Sequence, residues 1–302
     1  MFLDLPLLRG DEVAHAPWLA ATATPWPGAV SAWVSTEESG GYAPNVNLAV
    51  PAIMGVTLAP LATARAGVWD RGPALRIRLK GGALKSISDP ALMAGGNLLA
   101  IGDGTPGGWE LMQFADAVPV APGVWEIARR LRGQAGTDAA MPGVWPAGSV
   151  VVLVDEALRQ VILPPNARGQ MRYWRIGPAT RPPEDPSYRQ LGHAFAGAGL
   201  RPLSPCHLRV AGASLTWIRR TRIGGDGWDG VDVPLGEGAE RYLVRLTRNG
   251  AVLWQDVAGA PACTVPAAAW TAARQGGAFD AEVAQLSDDY GPGPFARRTI
   301  NA

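Results

Sequence analysis

A chain of 302 residues has room for two domains with cores of their own. Its 47% hydrophobic and 18% charged content excludes extended disorder. A formal net charge of +1 supplies no electrostatic footprint for nucleic acid, so none is expected as a partner. Only Lys80 and Lys85 are lysines among the 27 basic residues, a bias that a GC-rich genome produces; Arg chosen for contact surfaces is the alternative. Cys206 and Cys263 read as two buried thiols, with a single bond between them left open, and no spacing of ligands points to a metal or cofactor.

In chain order, Met1 to Gly10 makes a poor signal peptide: it lacks a basic start and carries Asp4 inside its apolar run. No stretch is long enough to span a bilayer, which implies a soluble protein made in the cytoplasm. From Trp26 to about Thr180 short apolar runs alternate with Gly and Pro. They predict strands over Ala29–Ser35, Val46–Val50, Met54–Ala59, Ala74–Leu79, Leu98–Gly102, Glu110–Ala115, Gly123–Leu131, Ser149–Val154 and Met171–Ile176. This is an antiparallel barrel or sandwich. Asp89 to Ala94 reads as one helical turn, with Asp89 as its cap and Pro90 in first position. Three prolines in Arg181 to Pro186 mark a linker, and Tyr188 to Leu200 reads as loop.

From Pro205 to Ile300 short alternating strands return, among them Leu215–Ile218, Tyr242–Leu246 and the run from Phe279 through Val283. A Trp on an early strand and a Tyr on a middle one predict a two-sheet sandwich with Trp217 and Tyr242 in its core. This stretch resembles a fibronectin type III module. The expected organisation is a β-rich domain over 1–186, a linker over 187–200 and the fibronectin-like domain over 201–302.

A second resemblance spans nearly the whole chain. Asn97–Gly102, Trp109–Phe114, Leu131–Thr137 and Val151–Asp155 are followed in order by Ser204–Leu208, Trp217–Arg220, Val233–Glu237 and Gln285–Ser287. Together they resemble the C-terminal region of the host-specificity (megatron) baseplate proteins of gene transfer agents, a phage tail-tip family. The resemblance implies a virion tail component, made in the host cytoplasm, on a trimeric hub with other baseplate proteins. It also implies that the family's glycoside-hydrolase-like barrel lies outside this region, since no β/α alternation occurs here. Whether Met1 is a native start is left open.

Several motifs allow chemistry. In Leu131–Thr137 two glycines flank Gln134, as a tight turn pinned by Arg132 and Thr137 requires; a loop contacting a partner subunit is the alternative. In a strand, Arg219 would point away from Arg220 and Arg222, and the arginines of this run would pair with neighbours such as Asp229, Glu237 or Glu240; an anion or nucleic-acid patch is the alternative. Trp69-Asp70 and Trp228-Asp229 have the form of sugar contacts, a ring to stack and a carboxylate for hydroxyls; rings covering the domain ends are the other reading. His15, His193 and His207 are isolated, and Asp70, Glu110 and Asp229 cannot be paired from sequence, so no enzyme is expected. The expected function is a baseplate component for tail-tip assembly and host recognition. A carbohydrate-binding module for cell-surface polysaccharide is the alternative, and a glycoside hydrolase a weaker one.

Overall fold

A computed structural model describes residues 1–225 and 232–301. They form two compact units, Met1–Gly199 and Leu200–Ala302, and both are built mainly of antiparallel β-strands.

In the first unit six strands close into a barrel. The ring runs Trp109–Ala121, Leu98–Gly102, Val150–Leu153, Met54–Thr57, Leu75–Leu79 and Val124–Leu131, and returns to Trp109–Ala121. The cause is visible in Leu75–Leu79, where Leu75, Ile77 and Leu79 are buried while Arg76 and Arg78 between them are exposed. The interior is filled by Ile77, Leu99, Ile101, Met112, Phe114 and Ile127. Closure pairs every barrel strand on both sides along part of its length and removes open edges there. Trp109–Ala121 runs further than the sequence implies, because beyond Ala115 it continues as the hairpin partner of Val124–Leu131.

The helical turn is Asp89–Met93, but its cap is Ser88, whose hydroxyl accepts from the Ala91 amide at 3.4 Å. Asp89 is thereby free to accept from Arg129 at 2.8 Å. That corrects the expected cap.

A second sheet of this unit orders Arg189–His193, Arg172–Pro178, Val30–Ser35 and Ala43–Leu48. Its core gathers Phe2, Leu19, Leu48, Trp174 and Phe195. The expected linker over 187–200 is overturned here. Arg189–His193 pairs with Arg172–Ile176, and the proline-rich segment turns the hairpin between them. The Tyr188 hydroxyl fixes that turn against Ser31 Oγ at 2.6 Å and the Pro178 carbonyl at 3.0 Å. Arg189–His193 has no fully buried residue, and Leu191 is its only large apolar side chain packed on the core, so its sequence carries no readable alternation.

The second unit packs two sheets around one core. One contains Cys206–Ala211, Ser214–Ile218 and Ala262–Thr264; the other orders Ala251–Ala258, Tyr242–Arg248, Phe279–Ser287 and Ala296–Ile300, with Gly291–Pro292 pairing the end of Phe279–Ser287. Leu215, Trp217, Tyr242, Val244, Leu246 and Val283 fill the space between. This is a β-sandwich, as the alternating strands of this stretch lead one to expect. It also holds a helix, Ala267–Gln275, which sets Trp270 edge-on against Phe279 with ring centres 5.4 Å apart. Among the described residues no helix is long and apolar enough to cross a membrane.

Candidate functional site

The polar residues singled out in the first unit converge on one end of the barrel. Trp69–Asp70 forms a short strand against Arg130–Leu131. Asp70 accepts from Arg130 Nε at 2.9 Å and from the Gly72 amide at 2.9 Å, and Arg132 Nη1 lies 3.5 Å away. Burial opposes ionisation of Asp70. The Arg130 hydrogen bond, the Gly72 amide and the charges of Arg130 and Arg132 outweigh it and hold the carboxyl below its ordinary 3.8.

Behind this pair lies a second, wholly enclosed one. Arg132 and Glu110 are both 0% exposed and meet in a two-pronged contact of 2.6 and 2.8 Å. Glu110 also accepts from Trp145 Nε1 at 2.6 Å and the Gly133 amide at 3.3 Å, while Arg132 donates to the Ala62 carbonyl at 3.0 Å. Each buried charge therefore has several partners, the condition under which such a pair is tolerated in a core.

The turn after Arg132 is shaped by this pair. Gly133 is left-handed at φ 62°, and a Cβ there would sit 2.7 Å from Asp138 Cβ. The Thr137 hydroxyl donates to the Gln134 carbonyl at 2.7 Å and accepts from the Leu111 amide at 2.8 Å, tying the turn to the barrel wall. Asp70 and Glu110 are thus brought together, but around two arginines that already occupy them.

Trp69 stays half-buried at the surface, with the Arg129 guanidinium 5.7 Å from its ring centre. Arg129 is itself held by Asp116 at 2.8 and 2.9 Å and by Asp89. Of the proposed sugar-contact pair, the ring is accessible and the carboxylate is engaged from within. Trp228 and Asp229 lie outside the described residues.

In the second unit Trp217 and Tyr242 are buried and meet edge to face at 5.0 Å. The Tyr242 hydroxyl donates to Glu240 at 2.7 Å, and burial together with that carboxylate raises its pKa. The arginine run does not alternate along a strand, because the strand ends at Ile218. Arg219 turns to Asp232 at 2.7 Å and to the Pro234 and Val233 carbonyls, and Arg222 to Glu237 at 2.9 Å. These bonds join residues 219–222 to 232–237.

The sequence reading missed three polar fixtures. One is the Glu110–Arg132 pair. Another is Gln113, buried and donating to the Leu92 and Gly96 carbonyls at 2.7 and 2.9 Å. The third is Asp4, buried and accepting from the Gly197 and Ala198 amides at 2.9 and 2.7 Å. Each was signalled by a polar residue inside an apolar run. The distant partner was not signalled.

Residues 52–152, the barrel region, match the family model described as Rcc01698-like, C-terminal. No curated protein matches the chain. Among solved structures it is similar to the chicken CNTN1 FN1–FN3 domains, at 11% identity over 90% of this chain and 89% of that one, with a TM-score of 0.22.

Proposed function

We propose that this protein is a non-enzymatic structural component of a phage-like tail baseplate, of the gene transfer agent kind, acting in tail-tip assembly and recognition of the recipient cell. The observation that carries the reading is the match of residues 52–152 to a family named for a gene related to gene transfer agents. The architecture supports it. A closed barrel and a sandwich are rigid frames that hold surface loops in fixed positions. In the particle the chain would be trimeric on the tail hub, so individually weak contacts would add through avidity. The test is deletion of the chain from a particle-producing strain. Particles lacking a distal tail element, or failing to attach, are expected; normal attachment and delivery would overturn the reading.

A carbohydrate-binding role is the second reading, favoured by the Trp69 ring that stays half-buried at the surface. In it Trp69 stacks on a cell-surface polysaccharide, Asp70 acts by holding Arg130 and Arg132, and Trp228 with Asp229 forms a further contact. Glycan-array binding that disappears in Trp69→Ala is expected, and binding unchanged by that substitution would exclude the site.

A further inference from the structure

The far end of the Trp109–Ala121/Val124–Leu131 hairpin is unlike the rest of the barrel surface. From Ala117 to Val124 it reads Ala-Val-Pro-Val-Ala-Pro-Gly-Val, without one charge or hydrogen-bonding side chain. Val118 is 53% exposed and Val120 44%. Between and after them Pro119, Ala121 and Pro122 are exposed as well. Val118 stands opposite Glu126 and Val124 opposite Arg78, so Val118 and Val124 share the outer barrel face with the charged row of Leu75–Leu79, while Val120 stands out at the register shift between Pro119 and Ala121.

Around this tip stand Arg78, Lys80 and Lys85, all exposed and, among the described residues, without an acidic partner. Their nearness follows from backbone bonds. The Leu79 amide donates to the Gly123 carbonyl at 2.9 Å, and the Ser86 hydroxyl bonds the Ala117 carbonyl at 3.1 Å and amide at 2.9 Å. Lys80 and Lys85, the only lysines of an arginine-rich chain, therefore flank the tip on the two segments that touch it. The acids of the neighbourhood are already engaged: Glu126 by Arg76 at 2.6 Å, and Asp89 and Asp116 by Arg129. What remains is an apolar point inside a rim of uncompensated positive charge.

We propose that this hairpin tip docks on an anionic lipid bilayer surface, with Val118 and Val120 entering the headgroup boundary and Arg78, Lys80 and Lys85 meeting lipid phosphates. An apolar wedge inside a cationic rim is the combination that binds such surfaces, and a lysine stem lets its ammonium reach the headgroups while its carbons lie along apolar surface. A second strand is a poorer occupant. Pro119 removes a backbone donor from the free edge of the strand, Pro122 fills the turn that follows it, and a proline on an edge strand resists added pairing.

The test is flotation of the full chain with vesicles of phosphatidylcholine and phosphatidylglycerol, against vesicles of phosphatidylcholine alone. Binding only to the anionic vesicles is expected, with release as salt shortens the Debye length from about 30 Å at 0.01 M to about 3 Å at 1 M. Lys80→Gln with Lys85→Gln should weaken binding about fivefold for each charge removed. Val118→Ser with Val120→Ser should weaken it about tenfold or more, with thermal melting unchanged because both side chains are exposed. A polarity-sensitive dye on Val120→Cys, in a Cys206→Ser, Cys263→Ser background, should shift to the blue with anionic vesicles. Absence of vesicle binding, binding indifferent to both pairs of substitutions, or an unshifted dye would overturn the proposal. So would self-association of the parent that the valine substitutions abolish, since the tip would then belong to a second copy of the chain.

Discussion

The two units solve the placement of arginine in opposite ways. In the barrel, Arg130 and Arg132 are drawn wholly inside, and the acids come to meet them there. In the sandwich the core is apolar around Trp217 and Tyr242, and arginines reach inward from the surface. Glu282 shows the second pattern: it is buried, but its partners Arg245 and Arg297 are partly exposed, and Arg245 lies under the Phe295 ring at 3.7 Å. A guanidinium buried with its acid leaves no cheap way to lose either partner, whereas one at the rim can turn back to water. The barrel end should therefore be brittle to charge loss, and the sandwich brittle to loss of ring volume.

The largest effects should fall on the two centres. Arg132→Ala leaves Glu110 buried without its main partner and should cost about 3–5 kcal/mol in denaturant unfolding. Trp217→Ala opens a cavity beside Tyr242 and should cost about 3–5 kcal/mol in the second unit. Measured on Leu200–Ala302 expressed alone, which is expected to melt cooperatively, the tryptophan effect should persist. If Arg132→Ala melts like the parent, the contrast between the units collapses. Gly133→Ala should come next. The left-handed backbone alone costs roughly 1–2 kcal/mol for a residue with a Cβ, and the crowding against Asp138 adds to it. A neutral outcome would show that the turn is not fixed by the ion pair.

Much of the fold was legible because burial in a strand writes a period-2 pattern. Leu75–Leu79 and Leu98–Gly102 stand where their alternation and apolar runs put them, and Trp217 and Tyr242 lie in the sandwich core. What failed to show was structure held by backbone bonds or by distant charges. Arg189–His193 is a strand with one large apolar side chain, Leu191, on the core, so its mostly polar sequence looks like loop. Ala267–Gln275 is an alanine-rich helix after Pro266 with one buried residue, Ala273, too faint a stripe to read. At the candidate site the Arg132 turn could be inferred from its glycines, but Glu110 lies 22 residues away and nothing local pairs them. Trp69 and Asp70 were singled out as one unit, yet strand geometry sends neighbouring side chains to opposite faces, one to solvent and one to the arginines.

The acid behaviour of Asp70 sharpens the contrast further. Its folded pKa lies below the ordinary value, so its contribution to stability is complete above that value and is lost as pH falls through the lower, folded one. Unfolding midpoints of the parent should therefore drop below about pH 4, the range of an unperturbed aspartate. Asp70→Asn should be less stable than the parent at neutral pH, and the gap should narrow as acid removes the parent's advantage. A gap constant across the acid range would mean that the carboxylate charge does not support Arg130.

The smallest effect should come from a pair on the same barrel that never leaves the surface. Arg76 meets Glu126 at 2.6 Å, as close as Arg132 meets Glu110, but its side chain is 61% exposed. Distance alone would rank the two pairs equal. Exposure separates them, because water can take over either partner of the outer pair and ordering two long side chains offsets much of the attraction. Arg76→Ala should therefore cost no more than about 1 kcal/mol, and less at high salt, in the same unfolding measurement used for Arg132→Ala. If the two substitutions cost the same, solvent access is not what divides the charges of this molecule, and the contrast between its inner and outer arginines fails.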